Sequence, residues 1–144
     1  MQGIQRKLVY VGLYEGFAIL FASIGLHALS GAGAAKSTAL AVASSVIAVV
    51  WNLAFNTLFE AWESRQKVRG RSVARRIAHA IGFEGGLAAI LVPVFAWWLG
   101  IGLWEAFLFD AALLVFFLVY TFVFNWSFDR AFGLPASAAA ARAA

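Results

Sequence analysis

No cysteine occurs among the 144 residues. That excludes disulfides, thiolate metal sites and a cysteine nucleophile, and leaves the redox compartment open. Charge is nearly as scarce: Asp, Glu, Lys and Arg make up 12% of the chain while 63% is hydrophobic and mean hydropathy is +0.85, against roughly a quarter charged and half apolar in a soluble domain. So few ionisable groups cannot cover the surface of a water-soluble protein of this size, so the remaining class is a membrane protein. Enzyme signatures are missing too: there is no HExxH, no GxSxG, no phosphate loop and no His-rich cluster. Four of the seven acidic residues fall at boundaries or in loops and form no convincing metal cage. The sequence is therefore read as non-enzymatic, with no metal and no cofactor.

What is present is four apolar runs, 8–29, 38–59, 77–99 and 106–128, each close to the ~20 residues that cross a ~30 Å hydrocarbon core as a helix. Continuous rather than alternating hydrophobicity favours helices over a barrel. The expected fold is an all-α integral membrane protein of four transmembrane helices. Arg6 and Lys7 before the first run, with small residues after it, resemble a signal peptide. The run is longer than a signal-peptide h-region and carries Glu15, so it is expected to remain in the mature chain.

The net charge of +4 is concentrated at helix ends. Between the second and third runs lie Arg65, Lys67, Arg69, Arg71, Arg75 and Arg76, whereas the other two connections share only Lys36. The positive-inside rule makes the basic loop cytoplasmic, and Arg6, Lys7 and Arg130 put both termini on the same side. The loop is read as topogenic and lipid-facing rather than as a nucleic-acid patch. Sliding the chain along itself until Arg6 meets Arg75 also aligns Lys7, Tyr14, Glu15 and Gly16 with Arg76, Phe83, Glu84 and Gly85. The same shift places Trp51 on Tyr120, Phe55 and Asn56 on Phe124 and Asn125, and Glu60 on Asp129. One offset serves both hairpins, the trace of a tandem two-helix repeat in parallel orientation. The expected organisation is a first hairpin at 1–64, a basic loop at 65–76, a second hairpin at 77–133 and a mobile low-complexity tail at 134–144.

Glu15 and Glu84 each lie seven residues into their runs, roughly 10 Å beyond the inner end of the span. A charged side chain at mid-helix costs about 2.5 to 3.5 kcal/mol on insertion scales, so such residues face a bundle interior or a wet cavity. A carboxyl shielded from water binds a proton or a cation in alternation; the blander reading is a protonated carboxyl bonding one helix to another. Gly12 and Gly16, and Gly82 and Gly86, give GxxxG spacings expected to bring the carboxyls near one another or near a partner chain, which leaves a homodimer open. Asn52 and Asn56 are one turn apart, with Thr121 and Asn125 as repeat mates, so each hairpin presents a polar stripe that glues helices or lines a path. Asp110, whose slot in the first repeat is Ala41, is read as an outward relay or an interfacial residue. His79 lies about 140° around its helix from Glu84 and either acts on it from a neighbouring face or is an interfacial histidine.

Aromatics reach 16% of the chain. Trp97, Trp98 and Trp104, and Trp62 and Trp126, fit the aromatic belts. Trp51 and Phe55 lie deeper, and a buried carboxylate beside such rings is expected to form a pocket for a lipophilic cation.

The segments RRIAHAIGFEGG, WNLAFNTLFEAWE and YTFVFNWSFD, on a chain of two tandem hairpins, resemble the proteobacterial antimicrobial compound efflux family, built from a pair of bacterial transmembrane domains. The likeness runs to about Phe132. It implies an inner-membrane exporter driven by protons that removes cationic amphipathic drugs such as chlorhexidine, acriflavine and quaternary ammonium compounds, and it leaves short diamines open as native substrates. It further implies a coupling and drug-binding role for Glu15, with Trp51, Asn52, Asn56, Arg76, His79, Glu84 and Asp110 on family positions. The first helix departs from the pattern: Tyr10 stands where the family has His, and Tyr14 where Phe is usual. The alternative to a proton-coupled exporter is a non-transporting membrane scaffold or accessory subunit, in which the buried acids would be packing bonds.

Overall fold

The computed structural model describes residues 3–68, 70 and 72–133. Four helices follow in order: α1 (Gly3–Ser30), α2 (Ala34–Ser64), α3 (Val73–Leu99) and α4 (Leu103–Phe132). At 1.5 Å per residue they are about 40 to 47 Å long, enough to cross the hydrocarbon core and run into the headgroup layer on both sides. Among the described residues there is no strand. Large apolar side chains such as Val50, Leu53, Val115, Leu118 and Phe122 are more than half exposed on the outside of the bundle. In water that surface would aggregate; in a bilayer it faces lipid. The chain is a multi-pass, all-α membrane protein. Its described part stops short of the 134–144 tail.

Two tight turns join the hairpins, and the repeat reaches into them. Gly31 and Gly100, which are repeat mates, both adopt φ +67°. This is the left-handed conformation that ends a helix and that L side chains resist. The Gly31 N–H donates to His27 O at 3.0 Å, and the Ile101 N–H to Ala96 O at 3.0 Å, closing the last turns of α1 and α3. α3 begins at Val73, ahead of the apolar run, because the Ser72 hydroxyl accepts from the Arg75 N–H at 3.3 Å and caps it.

The helices form a ring in which α1 packs on α2 and α4, and α3 on α4 and α2. Near the turns all four contribute to one apolar core that includes Leu26, Leu40, Phe95 and Ala106, each at most 1% exposed. Toward the chain termini the pairing changes. Every described ring contact between helices there joins α1 to α4, as in Tyr10–Phe124 and Tyr14–Tyr120, or α2 to α3, as in Phe55–Phe83 and Phe59–His79.

Hydrogen bonds follow the same two seams, and they are repeat mates. Tyr10 Oη donates to Asn125 Oδ1 at 2.6 Å, and at the matching positions of the other seam His79 Nε2 lies 2.8 Å from Asn56 Oδ1. Tyr120 Oη donates to Tyr14 O at 2.8 Å, and its mate Trp51 Nε1 donates to Phe83 O at 3.0 Å. The terminal end of the α1–α4 seam carries an extra lock. Arg6, 9% exposed, pairs with Asp129 at 2.6 Å, donates to Gly133 O at 2.6 Å and lies 4.9 Å from the centre of the Phe128 ring. A guanidinium there meets the free carbonyls at the C-terminus of α4, where a cation is favoured.

The two GxxxG spacings do different things, and within the chain neither brings the helices of Glu15 and Glu84 together, so of the two expected outcomes only approach to a partner chain is left. Gly82 and Gly86 are seats for rings: a Cβ on Gly82 would lie 3.0 Å from Phe55, and one on Gly86 would overlap Trp51. Gly12 and Gly16 have nothing within 4 Å of such a Cβ and face outward. The repeat offset explains the split, since it pairs Gly12 with Ile81 rather than with Gly82.

Candidate cation-binding cavity

Between the seams the helices enclose a cavity of about 710 Å³, lined by residues from all four, within the range of small-molecule sites. Three carboxyls line it: Glu15 from α1, Glu84 from α3 and Asp110 from α4. Each is half-buried. Tyr14, Asn52 and Thr121 add polar groups, and Phe83, Phe95 and Phe117 add rings among Ile, Leu and Ala side chains. Arg6, by contrast, is used up at the terminal end of the seam.

The lining does not follow the repeat as the seam bonds do. Ser45 Oγ donates to Glu15 Oε2 at 2.5 Å, tying α2 to α1. The repeat mate of Ser45 is Leu114, which lines the cavity but can donate nothing to Glu84. Asp110 in turn corresponds to Ala41, a buried core residue. The first hairpin therefore presents one acid held by a hydroxyl, and the second presents two. Tyr14 is fixed at the cavity wall by its hydroxyl, 2.8 Å from Thr121 Oγ1, and by the Tyr120 bond to its carbonyl. Among the described residues no three His, Asp or Glu side chains converge on a point where a metal ion could be held.

Of the residues singled out from sequence, Tyr14, Glu15, Asn52, Glu84 and Asp110 share the cavity. Trp51, Asn56 and His79 do not line it. They build the α2–α3 seam, where Trp51 bonds to Phe83 O, His79 meets Asn56 Oδ1, and Asn56 Nδ2 donates back to Asn52 O at 2.8 Å. The expected cation pocket of Trp51 and Phe55 is thus corrected: both rings are committed to packing over Gly86 and Gly82. Asn52 and Asn56 are likewise not one lining stripe, because Asn52 faces the cavity and Asn56 the seam. Ser45 was missed. The signal was a pair of hydroxyls, Ser44 and Ser45, inside an otherwise apolar run, and Ser44 satisfies itself on Leu40 O at 2.7 Å.

The profile of the chlorhexidine efflux transporter family matches the chain twice, over residues 2–65 and 71–134. The chain belongs to that family. The two matches coincide with the two hairpins, as a tandem repeat requires. Among curated proteins, relatives named short-chain diamines transporter occur in Acinetobacter baylyi, Vibrio parahaemolyticus and Acinetobacter baumannii. They are 34%, 35% and 36% identical, over 87%, 87% and 88% of this chain and 88%, 89% and 87% of theirs. No solved structure matches. A membrane transporter is the function class this membership carries.

The chain's departure from the family pattern at Tyr10 acquires a structural meaning from its mate. Tyr10 holds Asn125 as His79 holds Asn56, so the residue is a seam donor first. Tyr10→Phe should lower thermal stability, by about 1 kcal/mol for one lost hydrogen bond, whereas Tyr10→His should retain most of it. Thermal unfolding in detergent checks this; equal melting of Tyr10→Phe and the parent chain would remove the seam role.

Proposed function

We propose that the chain is a proton-coupled exporter of hydrophobic organic cations in a bacterial inner membrane, with both termini and the basic loop cytoplasmic. The observation that carries this reading is one membrane-level cavity onto which carboxyls from both hairpins open, beside aromatic rings. Chlorhexidine-like biguanides, acridines, quaternary ammonium compounds and short diamines all present what such a cavity can hold, one or two cationic groups on an apolar frame. The family is described by chlorhexidine efflux and the relatives by short-chain diamines, and both substrates carry two separated cationic centres. Glu15 exchanges a proton for the first of these centres, and Glu84, with Asp110 beside it on the cavity wall, takes the second. Asn52 and Tyr14 complete the wall. Trp51, Asn56 and His79 support it from the seam.

Membrane electrostatics set the stoichiometry. One elementary charge moved across 100 mV changes free energy by about 2.3 kcal/mol, so exporting a dication from a negative interior costs about 4.6 kcal/mol, half of which one inward proton offsets. A second proton makes the exchange electroneutral. In vesicles with a clamped potential, Glu15→Gln should insert normally and lose export of both charge classes. Glu84→Gln should slow dications against the potential and leave monocations nearly unchanged. Wild-type handling of both classes by Glu84→Gln would make Glu84 structural and the two-site scheme wrong.

The outward Gly12 and Gly16 face is the place proposed for a second copy, since close backbone approach is what such spacing allows. Native mass spectrometry under transporting conditions should show dimers that Gly16→Leu reduces several-fold. Monomers alone, in the parent chain, would exclude the dimer.

A further inference from the structure

The repeat is the hairpin, and its helices pack most extensively on each other, but the side-chain hydrogen bonds and ring contacts do not hold hairpin partners together along their whole length. At the terminal end the described polar and ring contacts run between hairpins, α1 with α4 and α2 with α3. Among the described residues, no side-chain hydrogen bond joins α3 to α4. One joins α1 to α2 at cavity level, from Ser45 to Glu15. Leu53 of α2 and Leu118 of α4 line the cavity and are nonetheless 66% and 65% exposed, so the cavity has openings toward lipid beside these helices. At the turn end the situation is reversed: three-residue connections at 31–33 and 100–102 tie each hairpin, and the apolar core joins all four helices.

From this we infer that the bodies that move during transport are the cross-hairpin pairs α1–α4 and α2–α3, pivoting on the apolar core at the turns, and that Ser45 is the positioning residue whose bond to Glu15 holds them together. The usual expectation for a transporter built from repeats is that one repeat rocks against the other. Here that motion would pull apart the Arg6–Asp129 pair, Tyr10–Asn125, Tyr14–Thr121 and the two bonds to main-chain carbonyls. Each such bond is worth about 0.6 to 1 kcal/mol in a membrane, and the stacked rings would separate with them. Parting the cross-hairpin pairs separates the backbone packing of α1 on α2 and of α3 on α4 toward the termini but breaks one described side-chain hydrogen bond, and that bond ends on the carboxyl proposed to exchange its ligand. An ammonium or amidinium group on Glu15 competes with the Ser45 hydroxyl for the same oxygen, which couples occupancy to opening. Ser45 lines the same cavity, and in this scheme it acts on the movement through Glu15.

The inference rests on the proposed cation binding for its trigger but not for its geometry, and the test separates the two. Because the parent chain has no cysteine, paired thiols can carry spin labels at Lys7, Ala61, Ala78 and Ser127, exposed positions near the terminal ends of α1, α2, α3 and α4. Pulsed electron–electron distances are measured in lipid for the four neighbouring pairs, in the parent chain, in Ser45→Ala, in Ser45→Thr, and with chlorhexidine added. In Ser45→Ala without drug, the Lys7–Ala61 and Ala78–Ser127 distances should lengthen by about 5 Å, the scale of movements between packed elements, while Lys7–Ser127 and Ala61–Ala78 stay fixed. Ser45→Thr, which keeps the hydroxyl, should match the parent. Chlorhexidine should give the parent the Ser45→Ala distances; if Ser45→Ala opens and the drug does nothing, the moving bodies stand and the cation trigger falls. Fixed distances within hairpins and changing distances across the α1–α4 and α2–α3 seams would overturn the inference, as would Ser45→Ala distances identical to the parent's.

Discussion

A carboxyl at the level of the hydrocarbon core is costly unless something compensates it, and the placement of Glu15, Glu84 and Asp110 governs most of what surrounds them. The compensation is neither a buried cation nor a dense polar network. Arg6, the one buried guanidinium among the described residues, is committed to Asp129 and the end of α4. Glu15 has one hydroxyl. The remaining compensation is space: a cavity large enough for water or a ligand, walled by rings and aliphatic groups. Glu15 bonds one neighbouring helix through a single hydroxyl, and acids facing open space in this way are well suited to a ligand that arrives with its own positive charge, which is why the exporter reading is preferred to a scaffold.

The rest of the bundle reads as the means of keeping that space open. Helices that pack side by side along their full length would fill the centre. This bundle closes with an apolar core at the turns and changes partners toward the termini, so seams form between hairpins while the interior stays unfilled. Rings do much of the sealing, and Gly82 and Gly86 are small because Phe55 and Trp51 lie over them. Duplication supplied matching seam bonds, Tyr10–Asn125 with His79–Asn56 and Tyr120 with Trp51. It did not preserve the cavity lining, where Ser45 corresponds to Leu114 and Ala41 to Asp110. The seam bonds keep the repeat and the cavity chemistry does not.

Helix number, span and duplication were legible from hydropathy and the single repeat offset, because a lipid solvent forces continuous apolar runs and leaves little else to decide. That Glu15 and Glu84 sit inside long apolar helices was legible for the same reason. Which face each residue takes was not. A stripe such as Asn52 and Asn56 has one meaning on an isolated helix and two in a ring, where a modest rotation about the helix axis moves a side chain from cavity to seam. Trp51 read as a cation partner because an aromatic near an acid in sequence looks the same whether it lines a pocket or covers a glycine. Ser45 was illegible as a partner of Glu15, since the register between α1 and α2 depends on the turn at Gly31–Gly33 and on how far the hairpin splays. Tyr10 looked like the loss of a family histidine until its mate showed both residues serving one seam position.

Cation binding and proton release at one carboxyl are the centre of this account, and they can be observed together on the purified protein. Chlorhexidine is titrated into the transporter in weakly buffered detergent, with tryptophan fluorescence reporting binding and a pH dye reporting released protons. Saturable binding accompanied by release of at least about one proton per chain, with release abolished in Glu15→Gln, is the predicted result. Saturable binding with no proton release at any pH in the range where transport occurs would contradict it.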